Sequence, residues 1–195
     1  MFRTIARTAI AMATPVLLAM PAAHAASWEI DPVHSNLLYR ISHLEVGTTY
    51  GFIREFSGSL EFDPDAIEDA SIQVTANAAS IDSLHPDRNA HLRSDDFFDV
   101  EQFAMITFMG NQWEATGENT YDVTGRFTLL GVEREITVPV QFNGTTENRH
   151  GQTVAGFEGE VTINRTDFGM DFGLGMVGDE VTLIIAIEAI QQEDE

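Results

Sequence analysis

The feature that most narrows the fold is a period-two alternation of apolar and polar side chains, recurring in about eight segments with turn residues between them. Ser35, Leu37, Tyr39, Ile41 and His43 alternate with Asn36, Leu38, Arg40 and Ser42. Phe56, Gly58, Leu60 and Phe62 alternate with Ser57, Ser59 and Glu61, and Ile72, Val74, Ala76 and Ala78 with Gln73, Thr75 and Asn77. The pattern returns in residues 105–109, 121–129, 135–142, 155–164 and 180–189. Asp63-Pro64-Asp65, Gly117-Glu118-Asn119, Leu130-Gly131, Asn143-Gly144 and His150-Gly151 supply the turns. Such a chain is expected to be all-β, either an antiparallel up-and-down barrel of about eight strands or a sandwich. It contains no cysteine, so packing and hydrogen bonds must hold it without disulfides, and no thiolate chemistry is open to it.

Two places read as helix. One is a short turn near residues 64–69. The other is residues 86–97, where Pro86 suits the first helical position and Asp87 complements the N-terminal dipole. The second lies inside the most informative stretch, residues 80–108. That stretch sets Arg88, His91 and Arg93 among Asp87, Asp95, Asp96 and Asp99, with Phe97, Phe98 and Phe103 interspersed. This density of aromatics and charge together predicts a short helical lid, with one face in an apolar interior and a cationic edge.

Residues 1–25 read as a cleaved export signal. Arg3 and Arg7 are its basic part, residues 9–20 its apolar part, and Ala23-His24-Ala25 its cleavage pattern. The apolar run is shorter than the roughly 20 residues a helical membrane span requires, and no later segment qualifies. Residues 26–195 then form one exported, periplasmic domain, large enough for a sizeable core. The formal charge is −21, and all ten basic residues are Arg. Nucleic acid and anionic membrane surfaces, which reward cations, are poor partners for it. The sequence leaves a homodimer open.

A barrel of about eight strands is either filled by its own side chains or holds one small ligand. The 13 Phe, 7 Met and 15 Gly are compatible with both. If a ligand is held, the apolar wall is expected to include Leu37, Tyr39, Ile41, Phe52, Phe56, Phe97, Phe98, Phe108 and Phe127. Candidates for a polar head group are His43, Arg88, His91, Arg93 and His34. His43 shares a strand face with Leu37, Tyr39 and Ile41. The Arg guanidinium forks suit a phosphate. The competing structural roles are equally concrete: the Arg and His side chains hold the lid through Asp82, Asp87, Asp95 and Asp96, His34 anchors the strand start through Asp31 or Ser35, and Arg165 pairs with Asp167.

Several motifs, in order, resemble the YceI-like family of periplasmic lipid-binding proteins. They are Ile30-Asp31-Pro32-Val33-His34-Ser35, Ile41-Ser42-His43, Phe56-Ser57-Gly58, Ser80-Ile81-Asp82-Ser83, and residues 88–100 from Arg88 to Val100. Gly125-Arg126-Phe127-Thr128-Leu129-Leu130-Gly131-Val132 and Asn164-Arg165-Thr166-Asp167-Phe168-Gly169 complete the set. Asn89, Ala104 and Leu130 depart from the family's usual Asp, Pro and His. The resemblance implies a lipocalin-like barrel that binds, without catalysis, a long isoprenoid amphiphile such as a polyprenyl quinone or polyprenyl phosphate. It implies no cofactor and no catalytic residues. Two rivals stand beside it. One is an isomerase or hydrolase acting on a lipid, for which the chain carries no nucleophile elbow, phosphate loop or dinucleotide fingerprint. The other is a metal protein using His34, His43, His85 and His91, which lack zinc-site spacing.

Overall fold

A computed structural model describes residues 25–193; the export signal expected at residues 1–25 lies, apart from residue 25, outside them. The described residues form eleven strands. They are β1 (Ala26–Ile30), β2 (Asn36–His43), β3 (Gly47–Ile53), β4 (Phe56–Phe62), β5 (Ser71–Asn77), β6 (Ile81–Asp82), β7 (Met105–Gly117), β8 (Thr120–Leu129), β9 (Val132–Glu147), β10 (Thr153–Asn164) and β11 (Val177–Gln191). Antiparallel pairing runs β1-β4-β5-β7-β8-β9-β10-β11, and β1 pairs again with β11, so these eight close a barrel rather than a sandwich. Closure leaves the ring without a free edge. The alternation is visible in β8, where Tyr121, Val123, Gly125, Phe127 and Leu129 are buried and the residues between them are not.

The first strand of the ring is broken. β1 covers β11 at Ala189–Gln191, and β2 covers it from Val177 to Ala186. Between them the chain bends at Asp31-Pro32, and Asp31 accepts a hydrogen bond from the Val33 amide (2.8 Å). The bend would leave Glu188 on β11 unpaired. Asp31 N–H donates to the Glu188 carbonyl (2.8 Å), and the Ser35 hydroxyl both donates to that carbonyl (3.1 Å) and accepts from the Glu188 amide (2.9 Å). Ser35, itself buried, thus does the work of a strand at one position. β7 and β8 also approach closely: a Cβ on Gly125 would lie 2.5 Å from the Cα of Gly110.

β2 continues into β3, which pairs with the two-residue β6. From β6 the chain enters the lid. The α-helix α1 spans Pro86–Leu92, shorter than residues 86–97. It stops because Ser94 turns its hydroxyl onto the His91 carbonyl (2.7 Å) and Leu92 takes the Phe98 amide, which closes a compact turn instead of a further helical one. The expected turn near residues 64–69 is a 3₁₀ turn at Ile67–Asp69.

Two apolar clusters fill opposite parts of the barrel. One is centred on Phe62, whose ring meets Trp113, Tyr121, Phe142 and Phe157 at centroid distances of 5.0 to 5.7 Å. The other joins Phe127, Leu129, Ile163, Phe168 and Met170 to Phe97 of the lid.

Candidate functional site

Between the clusters lies a cavity of about 430 Å³ with predominantly apolar walls. That is within the range of small-molecule sites. Inward-facing Ile72, Val74, Ile136, Val161, Leu183 and Ile185 line it and stay only half-buried, because their surfaces face the cavity instead of other side chains. A barrel filled by its own side chains would bury them. At one end the lining is fully buried (Leu60, Val123, Phe157, Ile187); at the other it reaches solvent through His43, Arg88, His91, Phe172 and Met176.

The solvent end is roofed by the lid, and each anchor of the lid can be traced. Arg54 at the end of β3 donates to the Asp82 carboxylate from Nε (3.1 Å) and Nη2 (2.8 Å). The same carboxylate accepts from the Asn89 side-chain amide (3.0 Å) and the Leu84 backbone amide (2.8 Å). Arg54, then Asn89, then Leu84 hold Asp82 well below the usual carboxylate range, at about 2. Asn89 in turn accepts from the Ser83 amide and hydroxyl, both at 2.6 Å. The amide donates to Asp82 from its nitrogen and accepts from Ser83 at its oxygen, so Asn89 closes this network where an ionised Asp would repel the Asp82 carboxylate. Arg93 fixes the other side of the lid, donating to the Ala79 (2.7 Å) and Ile81 (3.1 Å) carbonyls. His91 pairs with Asp96 (2.8 Å) and packs edge-on against Phe97 and Phe172.

The structure brings some of the expected site residues together and separates others. Leu37, Tyr39, Ile41, Phe97, Phe98, Phe108 and Phe127 line the cavity, as do His43, Arg88 and His91. Arg88 also donates to the Ser83 carbonyl from Nη2. Four candidates are not on the lining. Phe52 lies beneath the Arg54 guanidinium, 4.7 Å from its ring centroid. Phe56 packs onto the Phe62 cluster. Arg93 is committed to backbone carbonyls, and no carboxylate is needed to hold it. His34 is exposed at the β1–β2 bend, with Nδ1 2.7 Å from Asp31 and 3.7 Å from Glu188. The Asp31 hydrogen bond, then its charge, raises the His34 pKa, while His34 lowers that of Asp31. Asp31, His34 and Glu188 are the one such trio of potential metal-ligating groups among the described residues. Their 2.7 Å contact is a hydrogen bond, shorter than the roughly 3.4 Å between ligands at tetrahedral zinc with bonds of about 2.1 Å. His43, His85 and His91 do not join it.

Arg165 is the main correction. It does not pair with Asp167. Only 1% exposed, it donates to the carbonyls of Gly178 (2.7 Å), Met170 (2.9 Å) and Val177 (3.2 Å), and burial lowers its pKa. Asp179 instead accepts from the Thr166 amide and hydroxyl. Arg165 lines the cavity while pinning the loop that leads into β11. Two polar atoms of the lining residues have no hydrogen-bond partner among the described residues: the Tyr39 hydroxyl and the Trp113 indole N–H. Burial pushes the Tyr39 phenol up to about 12; Arg88 opposes the rise and Asp82 adds to it. Alternation alone marks Tyr39 as wall. Its hydroxyl lies against Gly51, the residue paired with it on β3, a cross-strand placement that alternation within β2 does not reveal.

Residues 28–189 match the model of the YceI-like domain. The UPF0312 protein of Azotobacter vinelandii is 36% identical over 192 residues, covering 97% of this chain and 98% of its own. Protein YceI of Salmonella newport is 34% identical over 180 residues, 91% of this chain and 94% of its own. Among solved structures, BcnA of Burkholderia cenocepacia superposes with a TM-score of 0.74 at 27% identity, over 82% of this chain and 98% of that one. A polyisoprenoid binding domain from Saccharophagus degradans superposes with a TM-score of 0.65 at 16% identity, over 86% and 99%; that likeness shows a shared fold.

Proposed function

This chain belongs to the YceI-like family, and on that premise we propose that it binds, without altering it, an amphiphile of the polyprenyl quinone or polyprenyl phosphate class. The cavity carries this reading: a filled barrel has no room for a ligand, and this one keeps about 430 Å³ open behind apolar walls. A cavity of about 150 Å³ accommodates benzene, so the space here suits roughly 17 carbon atoms of a tail. Each buried CH₂ contributes about 0.8 kcal/mol. The polar end of the ligand would sit at the solvent end, within reach of Arg88, His91 and His43, which supply donors there. The occurrence of the same barrel in a polyisoprenoid binding domain supports the choice of ligand class. An export signal at residues 1–25 would place the protein in the periplasm, where a soluble container for such a tail has an aqueous gap to cross.

Trp113 lines the cavity, whereas Trp28 is buried outside the lining with its indole N–H on the Phe62 carbonyl (3.1 Å). Titration with a short isoprenoid alcohol should therefore change Trp113 emission in a saturable way, and the alcohol should be recovered unchanged. Emission indifferent to the alcohol would refute the reading. Recovery of an isomerised or hydrolysed product would replace a binder with an enzyme.

A further inference from the structure

The solvent end of the cavity is ringed by apolar side chains that nothing among the described residues covers. The β2–β3 turn and the loop between β10 and β11 lie side by side: His43 pairs with Val177, and the Leu44 amide donates to the Met176 carbonyl (2.7 Å). Together they expose Leu44, Val46, Phe172, Leu174 and Met176, with Val46 91% and Met176 56% exposed. Soluble proteins rarely leave large apolar side chains grouped in this way unless the surface is used. Phe172 and Met176 also line the cavity, so the exposed patch and the cavity wall form one continuous apolar surface.

The backbone holds these side chains outward at a cost. Leu44 (φ 54°) and Glu45 (φ 58°) occupy the two central positions of a tight turn closed by the Val46 amide on the His43 carbonyl. Both are left-handed, a region that Asn, Asp and Gly enter readily and that a leucine Cβ makes unfavourable. An Asn-Gly pair would make the same hairpin with less strain. Gly173 (φ 70°) and Gly175 (φ 88°) shape the neighbouring loop around Leu174, and Arg165 fixes the base of that loop through the carbonyls of Met170, Val177 and Gly178.

We infer that this collar is a docking surface for an electrically neutral lipid bilayer, through which a tail passes between the membrane and the cavity without crossing water. Continuity between patch and cavity selects a bilayer over a protein partner, because Phe172 and Met176 belong to both surfaces and a bilayer itself holds the apolar tails that the cavity suits. Charge selects the bilayer type. Glu45 stands between Leu44 and Val46, outside the Arg88 and His91 donors at the cavity mouth, and the chain carries a formal charge of −21, so a surface dense in anionic head groups gives the collar no net attraction and attachment rests on apolar insertion. The role assigned to the collar rests on the reading of the cavity as a lipid site; its attachment to a bilayer can be measured separately.

The test is co-sedimentation of the full mature protein with pure phosphatidylcholine vesicles, comparing the natural sequence with Leu44→Asp combined with Leu174→Asp. Neither residue lines the cavity, and Asp tolerates the left-handed position of Leu44, so the variant should fold, as its melting curve can verify. The natural protein should pellet with vesicles, and the variant should partition at least about tenfold less. A natural protein that stays in the supernatant, or a variant that pellets equally, overturns the docking surface. Bound amphiphile, read on the same samples by native mass spectrometry, belongs to the cavity reading alone. An empty cavity with vesicle binding intact sinks that reading, and tail passage with it, and leaves the docking surface standing.

Discussion

At the residue scale, buried polar groups decide more than the charges that crowd the surface. Among the described residues no carboxylate lies within ion-pair distance of Arg165, and three carbonyls replace its water. Arg165→Met should cost about 2–5 kcal/mol in unfolding free energy, because each carbonyl is left buried and unpaired; denaturant titration checks it, and a loss well under that range would mean that water enters the site. The Asp31–His34 pair sets a pH signature of a different kind. A raised His34 pKa gives stability that is complete below the ordinary value of 6.5 and fades as pH climbs through the raised value. A lowered Asp31 pKa gives stability complete above 3.8 and lost as pH falls through the lowered value. The pair therefore contributes fully between pH 3.8 and 6.5, and His34→Ala should flatten the melting temperature on the alkaline side of that window. These roles were only partly legible in the sequence. Asp31-x-x-His34-Ser35 reads as an anchor because the spacing suits a local turn. Arg165 reads as an ion pair because Asp167 is adjacent in the chain, and only the fold shows that neighbouring carbonyls reach it first.

At the scale of elements, the lid is a latch. Arg54, Asp82, Asn89 and Ser83 tie β3, β6 and α1 into one hydrogen-bonded unit over the solvent end of the cavity. Asp82→Asn removes the charge that Arg54 and Asn89 both address. It should speed exchange of a bound tail while leaving the barrel folded, which stopped-flow release of a fluorescent fatty probe would show; unchanged release would mean that the lid does not gate the cavity. Because Asp82 is held at about 2, this latch should persist in mild acid and weaken only as pH falls toward that value. The sequence marks the lid through its mixture of aromatics and charge, and marks eight strand segments through their alternation. It overextends α1 because residues 93–97 keep helix-compatible spacing, while Ser94 diverts the backbone hydrogen bonds. The break between β1 and β2 has no signal in alternation, because it is repaired from across the sheet by Glu188.

At the scale of the whole molecule, the question left open by composition is whether the barrel is filled. Phe, Met and Gly serve either answer, since what distinguishes them is how inward side chains from different strands meet. The half-buried faces of Ile72, Val74, Leu183 and Ile185 answer it for an open interior. An interior of about 430 Å³ also sets a length limit. Across a series of straight-chain amphiphiles, affinity should rise about fourfold per added CH₂ and level off near roughly 17 carbons, beyond which the tail must leave the wall. Calorimetry over the series would show it; a slope that continues without a break would mean that the cavity expands around its ligand.

Binding is tested most directly by native mass spectrometry of the protein purified from its own cells, followed by solvent extraction of whatever it carries. One amphiphile per chain is expected, released intact, with an apolar tail and one polar end. A bare protein mass, unchanged after incubation with a polyprenyl quinone and with a polyprenyl phosphate, would contradict it.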